Sequence, residues 1–130
     1  MDLILDTCGL LSLSGLAKKK LSKSALAKIE SADKLYVSSC TLFEIAIKHK
    51  NGNLPITPFD TAMDFWETAV REYRLEELPV TAKTFFDASE LKEIHSDPFD
   101  RIIIAESFAR KIPIVTYDTV FLDYSVSVFC

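Results

Sequence analysis

Histidine, cysteine and long apolar runs are scarce in this chain, and each shortage excludes a class of protein. The chain contains two histidines and three cysteines, and the cysteines (Cys8, Cys40 and Cys130) have no CxxC spacing. An odd number of scattered cysteines predicts a reduced, cytoplasmic protein without a disulfide framework. The lack of a Cys/His set with ligand spacing argues against a zinc site. No apolar run approaches the roughly 20 residues that cross a bilayer, so we expect no membrane partner.

An excess of positive charge is also missing. Fifteen basic against nineteen acidic residues give a net charge of −4, which argues against binding nucleic acid by bulk electrostatics. Asp2 and Asp6 stand where a signal peptide would have a basic and then an apolar region, so no such peptide is expected. The chain does have 48% hydrophobic and 26% charged residues in 130 positions. This composition predicts one folded domain over residues 1–130.

Apolar runs alternate with segments of helical spacing along the chain. The runs predict strands at 3–5, 34–38, 75–80 and 112–116, and an edge strand at 124–129. Helices are predicted at 7–16, 22–29, 40–50, 59–73, 81–90 and 98–111, the last capped by Asp97. Strands that alternate with helices but not in polarity predict an α/β fold. We expect a three-layer α/β/α sandwich with a central parallel sheet.

Four acidic residues adjoin apolar sequence that we expect to be buried. An uncompensated charge in such a place costs several kcal/mol. Two of the acids end predicted strands, and two lie in the first turns of helices that begin near strand ends, where open parallel sheets bind ligands. We therefore predict that the four meet around a divalent cation and act on a phosphodiester. They are Asp6, Glu44, Asp100 and Asp118.

Each acid also has an ordinary structural explanation. Asp6 could cap the following helix, Asp100 could belong to a capping box, and Asp118 could be a turn residue. Glu44 could pair with Lys48 one helical turn later. The joint occurrence of the four favours the functional interpretation, whereas Asp97 is interpreted chiefly as a cap.

Basic residues near the acids are candidates for the rim of a cleft. The lysine run that begins at Lys18 is interpreted first as a solvated loop between helices. The candidates are Lys18, Lys19, Lys20, Lys23, Lys48, Lys50 and Arg101.

The segments that contain the acids follow a known pattern. They are Leu5–Thr7, Val37–Lys48, His95–Ala105 with its His-x-Asp-Pro-Phe-Asp-Arg stretch, and Pro113–Asp118. In these segments the chain resembles PIN-domain ribonucleases, specifically the VapC-type toxins of prokaryotic toxin–antitoxin pairs. The likeness runs from Leu3 to Val128.

The resemblance implies a function, a cofactor and partners. Carried over to this sequence, it implies that Asp6, Glu44, Asp100 and Asp118 bind Mg²⁺ or Mn²⁺ and cleave RNA. It also implies a homodimer held by helical faces and an antitoxin whose tail occupies the acidic cleft. Hydroxyl side chains that match positions lining such sites are Thr7, Ser39 and Thr116.

The chain departs from the family pattern at two places. Cys8-Gly9 replaces the bulkier residues common after the Asp-Thr pair, which predicts looser packing there. Tyr117 stands where many relatives have a basic residue, which predicts the loss of a contact to a substrate phosphate. Neither departure removes a metal ligand.

These residue types suit hydrolysis by metal-activated water without a covalent enzyme intermediate. Mg²⁺ prefers oxygen ligands and lowers the pKa of a bound water. We expect Asp6 and Asp100 as direct ligands, Glu44 as a ligand or water-orienting base, and Asp118 either completing the cluster or holding a second ion.

Other mechanisms and functions fit the sequence less well. A histidine-dependent mechanism is disfavoured, because only His49 and His95 exist. A phosphoacceptor signalling domain would need a lysine at the end of a late strand, and 112–118 has none. The alternative that stays open is a scaffold or binding module of the same fold without activity.

Overall fold

A central parallel sheet organises the chain, as expected. The structure is a computed structural model that describes residues 1–92, 96–118, 121, 124 and 128–129. Its strand order is β3-β2-β1-β4-β5, and every neighbouring pair is parallel. The strands are β1 (Leu3–Leu5), β2 (Leu35–Ser38), β3 (Leu75–Leu78), β4 (Ile114–Val115) and β5 (Val128–Phe129).

Six helices connect these strands within the described residues. Three of them begin at a polar cap. Ser22 caps α2, Thr61 caps α4 and Thr81 caps α5, and each side chain accepts a hydrogen bond from a backbone amide of the first turn. The helices are α1 (Thr7–Leu13), α2 (Lys23–Glu30), α3 (Ser39–Lys50), α4 (Ala62–Glu72), α5 (Ala82–Ser89) and α6 (Pro98–Arg110).

The structure shortens two of the predicted helices. The first ends at Leu13 instead of residue 16, because Ser14 caps it and Gly15 adopts a positive φ of 78° that a continuing helix does not allow. The fourth begins at Ala62 instead of Phe59, because Thr61 caps it and Phe59 precedes that cap. Apolar periodicity indicates neither the positive φ of Gly15 nor the side-chain cap of Thr61.

Alternate residues of each strand face two different layers of helices. Leu3 and Leu5 of β1 pack into a core with residues of α1 to α4, whereas Ile4 packs into a second core with residues of α5 and α6. The expected three-layer α/β/α arrangement with a central parallel sheet is thereby confirmed. No helix within the described ranges combines the length and apolar character needed to cross a membrane.

The carboxyl ends of the central strands lie side by side. Leu5 is in register with Val37 of β2 and with Val115 of β4, and the Asp6 amide donates to the Val115 carbonyl at 3.3 Å. The residues that follow these three strands therefore emerge at one edge of the sheet. This is the edge at which parallel sheets bind ligands.

Candidate active site

Asp6 occupies the gap between β1 and α1 and holds both elements. It caps α1, because its Oδ1 accepts a hydrogen bond from the Gly9 amide at 2.6 Å. Its Oδ2 accepts a hydrogen bond from Thr116 Oγ1 at 2.6 Å, across the sheet edge from β4. The side chain is 1% exposed. The capping explanation is thus correct, and the cap faces the residues that follow β4.

Other carboxylates lie close enough to Asp6 to act on its charge. Burial raises the pKa of Asp6 from 3.8 to about 7, the bonds from Thr116 and Gly9 oppose this rise, and the charges of Asp100 and Asp118 add to it. Asp100 and Asp118, both distant from Asp6 in sequence, therefore lie within electrostatic reach of it. Such crowding of like charges is characteristic of functional sites.

Gly9 allows α1 to approach β4 closely. A Cβ atom at this position would lie 2.5 Å from the Val115 carbonyl oxygen and 3.1 Å from Asp6 Oδ1. The prediction of looser packing after the Asp-Thr pair was therefore wrong. The backbone of β4 fills the space that a side chain would take, and this keeps the Gly9 amide on Asp6.

Glu44 joins the same region from α3. The side chain is 5% exposed, and Oε1 accepts a hydrogen bond from Thr7 Oγ1 at 2.6 Å. Its Oε2 forms an ion pair with Lys48 Nζ at 2.7 Å, so the pairing proposed from the i+4 spacing exists. Although burial lowers the pKa of Lys48, the bond to Glu44 and its charge outweigh this effect and raise it. Lys48 stays cationic beside Glu44.

Asp97 and Asp100 begin α6 at the same edge. Asp97 caps the helix, because its Oδ1 accepts hydrogen bonds from the amides of Phe99 at 2.8 Å and Asp100 at 3.2 Å, and Pro98 is the first helical residue. The predicted cap is confirmed. Asp100 follows in the first turn and is half-buried.

Two of the three predicted hydroxyl residues contact the acids. Thr7 bonds Glu44 and Thr116 bonds Asp6, and Thr116 Oγ1 also accepts from the Asp118 amide at 2.9 Å. Ser39 instead accepts a hydrogen bond from the Val80 amide at 3.1 Å and ties the start of α3 to the end of β3. Thr116 thus orders two of the four acids at once.

The cysteines near the acids are not activated nucleophiles. Burial first, and then the charges of Asp6, Asp100 and Asp118, raise the pKa of Cys8 to about 12. Burial also raises the pKa of Cys40 to about 12, to which neighbouring carboxylates contribute. A thiol that holds its proton at neutral pH is a poor nucleophile. The carboxylates, not the thiols, set the chemistry at this edge.

A comparison with protein families assigns the chain. The PIN domain model matches residues 3–126. This chain belongs to the PIN domain family. A comparison of the sequence with curated proteins gave no significant match.

Solved structures share the fold of this PIN domain over nearly its whole length. A chain of VapBC from Salmonella typhimurium, solved bound to DNA, is 16% identical with a TM-score of 0.68, covering 100% of this chain and 99% of that one. A chain of VapBC2 from Rickettsia felis, solved bound to a DNA fragment from the promoter, is 17% identical with a TM-score of 0.67, covering 98% of this chain and 97% of that one. A chain of FitAcB from Neisseria gonorrhoeae is 17% identical with a TM-score of 0.63, covering 98% of this chain and 96% of that one. At these identities the likeness establishes the fold.

Arg101 does not belong to the rim of the PIN-domain site. It is 9% exposed, and its guanidinium donates hydrogen bonds to the carbonyls of Ala88, Leu91 and Lys92 at 2.8 to 3.0 Å. The prediction of a rim residue was wrong, because the side chain turns from α6 toward the end of α5 and closes it. His95, in the loop before α6, lies outside the described residues.

Glu106 is a buried acid of this PIN domain that sequence reasoning missed. It lies in α6, is 5% exposed, and accepts a hydrogen bond from Ser38 Oγ at 2.8 Å, while Oε2 has no hydrogen-bond partner among the described residues. Burial raises its pKa from 4.5 to about 7, and Arg110 lowers it. The available signal was the apolar run Ile102–Ala105 directly before it, the pattern used for the other acids.

The donor set at the sheet edge fits a hard divalent cation in chemistry. Carboxylates and hydroxyls supply only oxygen, which Mg²⁺ and Mn²⁺ prefer, and the mutual repulsion of Asp6, Asp100 and Asp118 is relieved by positive charge. Within the described part of the chain, however, no three Asp, Glu, His or Cys side chains form a ready-made metal-binding group.

Internal hydrogen bonds explain why the acids are not pre-arranged as ligands. Both oxygens of Asp6 accept hydrogen bonds, and both oxygens of Glu44 do so too. Each carboxylate oxygen keeps a second lone pair that can bind an ion. Small movements of these side chains would be needed to bring their oxygens to one point.

Proposed function

We propose that this PIN domain is a metal-dependent endoribonuclease. The observation that carries the proposal is the buried Asp6 carboxylate at the carboxyl edge of the sheet, which Thr116 joins to the Asp118 backbone and which feels the charges of Asp100 and Asp118. PIN domains are in general nucleases. The charges of neighbouring acids raise the cost of the buried, charged Asp6, and a divalent cation is the simplest compensating charge.

The roles of the chain's own residues follow from their contacts. Asp6 and Asp100 would hold the cation, with Asp118 completing the set, and Thr116 and the Gly9 amide keep Asp6 oriented. The cation, when bound, would make a water more acidic and offset negative charge on the phosphate. Glu44 is oriented by Thr7 and neutralised by Lys48, which suits it to position that water or to complete the ligands.

The metal requirement is tested by hydrolysis and by binding. We expect purified protein to cleave single-stranded RNA with Mg²⁺ or Mn²⁺ and not with a chelator, and to spare DNA of the same sequence. Asp6→Asn and Asp100→Asn should lose activity by about a hundredfold or more. Either cation should also raise the melting temperature of the wild type but not of Asp6→Asn, since ligands stabilise only the state they bind.

Asp33→Asn is the matched control. Asp33 lies before β2, at the amino edge of the sheet, is exposed, and pairs with the N-terminal ammonium. The variant changes the same charge as Asp6→Asn, and it should keep full activity. Hydrolysis that survives in Asp6→Asn and Asp100→Asn would come from a contaminant. No hydrolysis by the wild type would favour the inactive scaffold or binding module.

We further propose that the protein is the toxin of a type II toxin–antitoxin pair and acts in the cytoplasm as a homodimer. Structures of the same fold come from VapBC and FitAB assemblies. The chain offers surfaces for partners, because large apolar side chains are exposed on α3, α4 and α5: Phe43 is 62% exposed, Met63 50%, Phe85 56% and Phe86 64%. Phe43 and Met63 line one surface pocket together, and an exposed apolar surface of this kind is typical of protein interfaces.

The toxin assignment is tested by the neighbouring reading frame and by co-expression. A short adjacent gene for a DNA-binding protein should be present, and its product should co-purify with this chain and suppress RNA hydrolysis. Sedimentation should show a dimer for the free protein. A solitary gene whose product is active without growth arrest would leave the nuclease proposal in place and remove the toxin one.

A further inference from the structure

A lysine far from the acids in sequence reaches the segment that contains Asp118. Lys19 Nζ lies 5.1 Å from the centroid of the Tyr117 ring and donates a hydrogen bond to the Tyr117 carbonyl at 3.3 Å. An ammonium over a ring face is attracted by the ring quadrupole. The two contacts together hold the cation beside one residue, although the lysine side chain itself is exposed.

Tyr117 places that cation at the acidic edge. It follows Thr116, which bonds Asp6, and precedes Asp118. The phenol lies beside the Cys8 thiol, with which it forms a hydrogen bond.

The turn that contains Lys19 is anchored on both sides. The amides of Leu16 and Ala17 donate to the Leu11 carbonyl, and the amide of Leu21 donates to Ser12 Oγ at 2.8 Å. Leu21 is buried with the core on the α1–α4 side of the sheet. Residues 18–20 project between these anchors, so the position of Lys19 is set by the backbone as well as by Tyr117.

Two other cations of the predicted rim are engaged elsewhere. Lys48 neutralises Glu44, and Arg101 binds three backbone carbonyls. The ammonium of Lys19 has three N–H donors, and its contact with the Tyr117 carbonyl uses one. A polyanion that approaches several carboxylates needs positive charge with donors to spare. Among the described residues, Lys19 meets that requirement beside Asp118.

We propose that Lys19 binds a phosphate of single-stranded RNA next to the scissile one, and that Tyr117 is the residue that positions it. The inference rests on the proposed nuclease function and supplies its substrate contact. It also gives a physical account of a tyrosine at a position where a basic residue was expected. The charge comes from a different segment, and the aromatic ring holds it there.

Binding measured across a salt series tests the contact apart from catalysis. In an Asp100→Asn background, Lys19→Ala should weaken binding of a fluorescent single-stranded RNA about three- to tenfold. It should also lower the slope of log Kd against log salt by about 0.7, the share of one phosphate contact. Lys18→Ala is the matched control, since Lys18 is an exposed lysine of the same turn. It should change Kd by less than about twofold.

Turnover in the otherwise wild-type protein separates binding from chemistry. Lys19→Ala should raise KM with kcat within about twofold, because the phosphate contact exists before and during the reaction. Lys19→Arg should restore KM. Tyr117→Phe, which keeps the ring, should resemble the wild type. Tyr117→Leu, which removes the ring, should raise KM as Lys19→Ala does, at a lower melting temperature because the ring packs against the core on the α1–α4 side of the sheet.

The outcomes separate this inference from the function on which it rests. Equal salt slopes and KM values for Lys19→Ala and Lys18→Ala, with wild-type cleavage intact, would overturn the role of Lys19 and leave the nuclease standing. A wild-type protein that neither binds nor cleaves RNA would overturn both.

Discussion

Asp6 and Glu106 are two buried acids that each bind a hydroxyl side chain but differ in the charges around them. Each accepts a hydrogen bond from a hydroxyl side chain, Thr116 or Ser38, and burial raises the pKa of each to about 7. Asp6, however, lies within reach of the charges of Asp100 and Asp118, whereas the charge that acts on Glu106 is that of Arg110.

The comparison shows that burial alone does not identify a functional acid. Desolvation raises the pKa of any buried carboxyl, and Glu106 demonstrates that a fold tolerates one inside a helix layer. The charges of Asp100 and Asp118 make the charged form of Asp6 still less favourable in the metal-free protein. Such a cost is expected where a bound cation offsets it.

Activity should separate the two acids most strongly. Asp6→Asn should lower RNA hydrolysis by about a hundredfold or more, because it removes a ligand oxygen charge. Glu106→Gln has the same loss of charge and nearly the same shape, and it should keep activity within about twofold. Steady-state rates with Mg²⁺ measure both. Equal losses would mean that Glu106 belongs to the catalytic machinery and that the comparison is mistaken.

Substitution of the hydroxyl partners of the two acids should produce a smaller difference in activity, again with the larger loss at the partner of Asp6. Thr116→Val should lower activity about tenfold, because outer partners that orient ligands commonly contribute ten- to a hundredfold, and Thr116→Ser should restore it. Ser38→Ala should leave activity unchanged and cost about 1–2 kcal/mol of stability, since Ser38 also caps α3. Denaturant melts and initial rates on the three variants test this contrast. A rate loss in Ser38→Ala without unfolding would contradict it.

The pH dependence of stability should show the smallest difference. Both pKa values lie above their ordinary values of 3.8 and 4.5, so the folded metal-free protein binds these protons more tightly than the unfolded chain. Its free energy of unfolding should therefore fall as the pH rises from about 4 to beyond 7. Glu106→Gln should melt about 3 °C or more above the wild type near pH 8 and close to it near pH 5.

Asp6→Asn should also make the free energy of unfolding less dependent on pH, but its response to Mg²⁺ should differ from that of Glu106→Gln. Mg²⁺ should restore the stability of the wild type and of Glu106→Gln above about pH 7, since it binds the ionised acids, but not that of Asp6→Asn. Calorimetric scans with and without the ion provide the measurement. A Mg²⁺ response that persists in Asp6→Asn would place the ion away from this edge.

Much of the fold could be predicted because its elements are defined locally. Leu3–Leu5 is an uninterrupted apolar run of the kind that a parallel strand needs on both faces, and Asp97-Pro98 marks the start of α6 without reference to any other segment. Predictions failed where apolar spacing continues beyond the helix, at Gly15, whose positive φ follows the end of α1, and before Thr61, which caps α4. They also failed at Arg101, whose direction depends on the end of α5.

By itself the amino-acid sequence determined the alternation of strands and helices, and it determined which acids adjoin buried strands. Together these bring Asp6 and Asp118 to one edge of the sheet. The i+4 spacing also predicts the Glu44–Lys48 pair, but only the tertiary structure decided that Thr116 bonds Asp6, that Thr7 bonds Glu44 and that Lys19 contacts Tyr117. The reason is physical. Strand and helix patterns arise from short-range backbone preference and apolar spacing, whereas the contacts of Thr116, Thr7 and Lys19 join residues from 37 to 110 positions apart, and only packing brings such residues within hydrogen-bond distance.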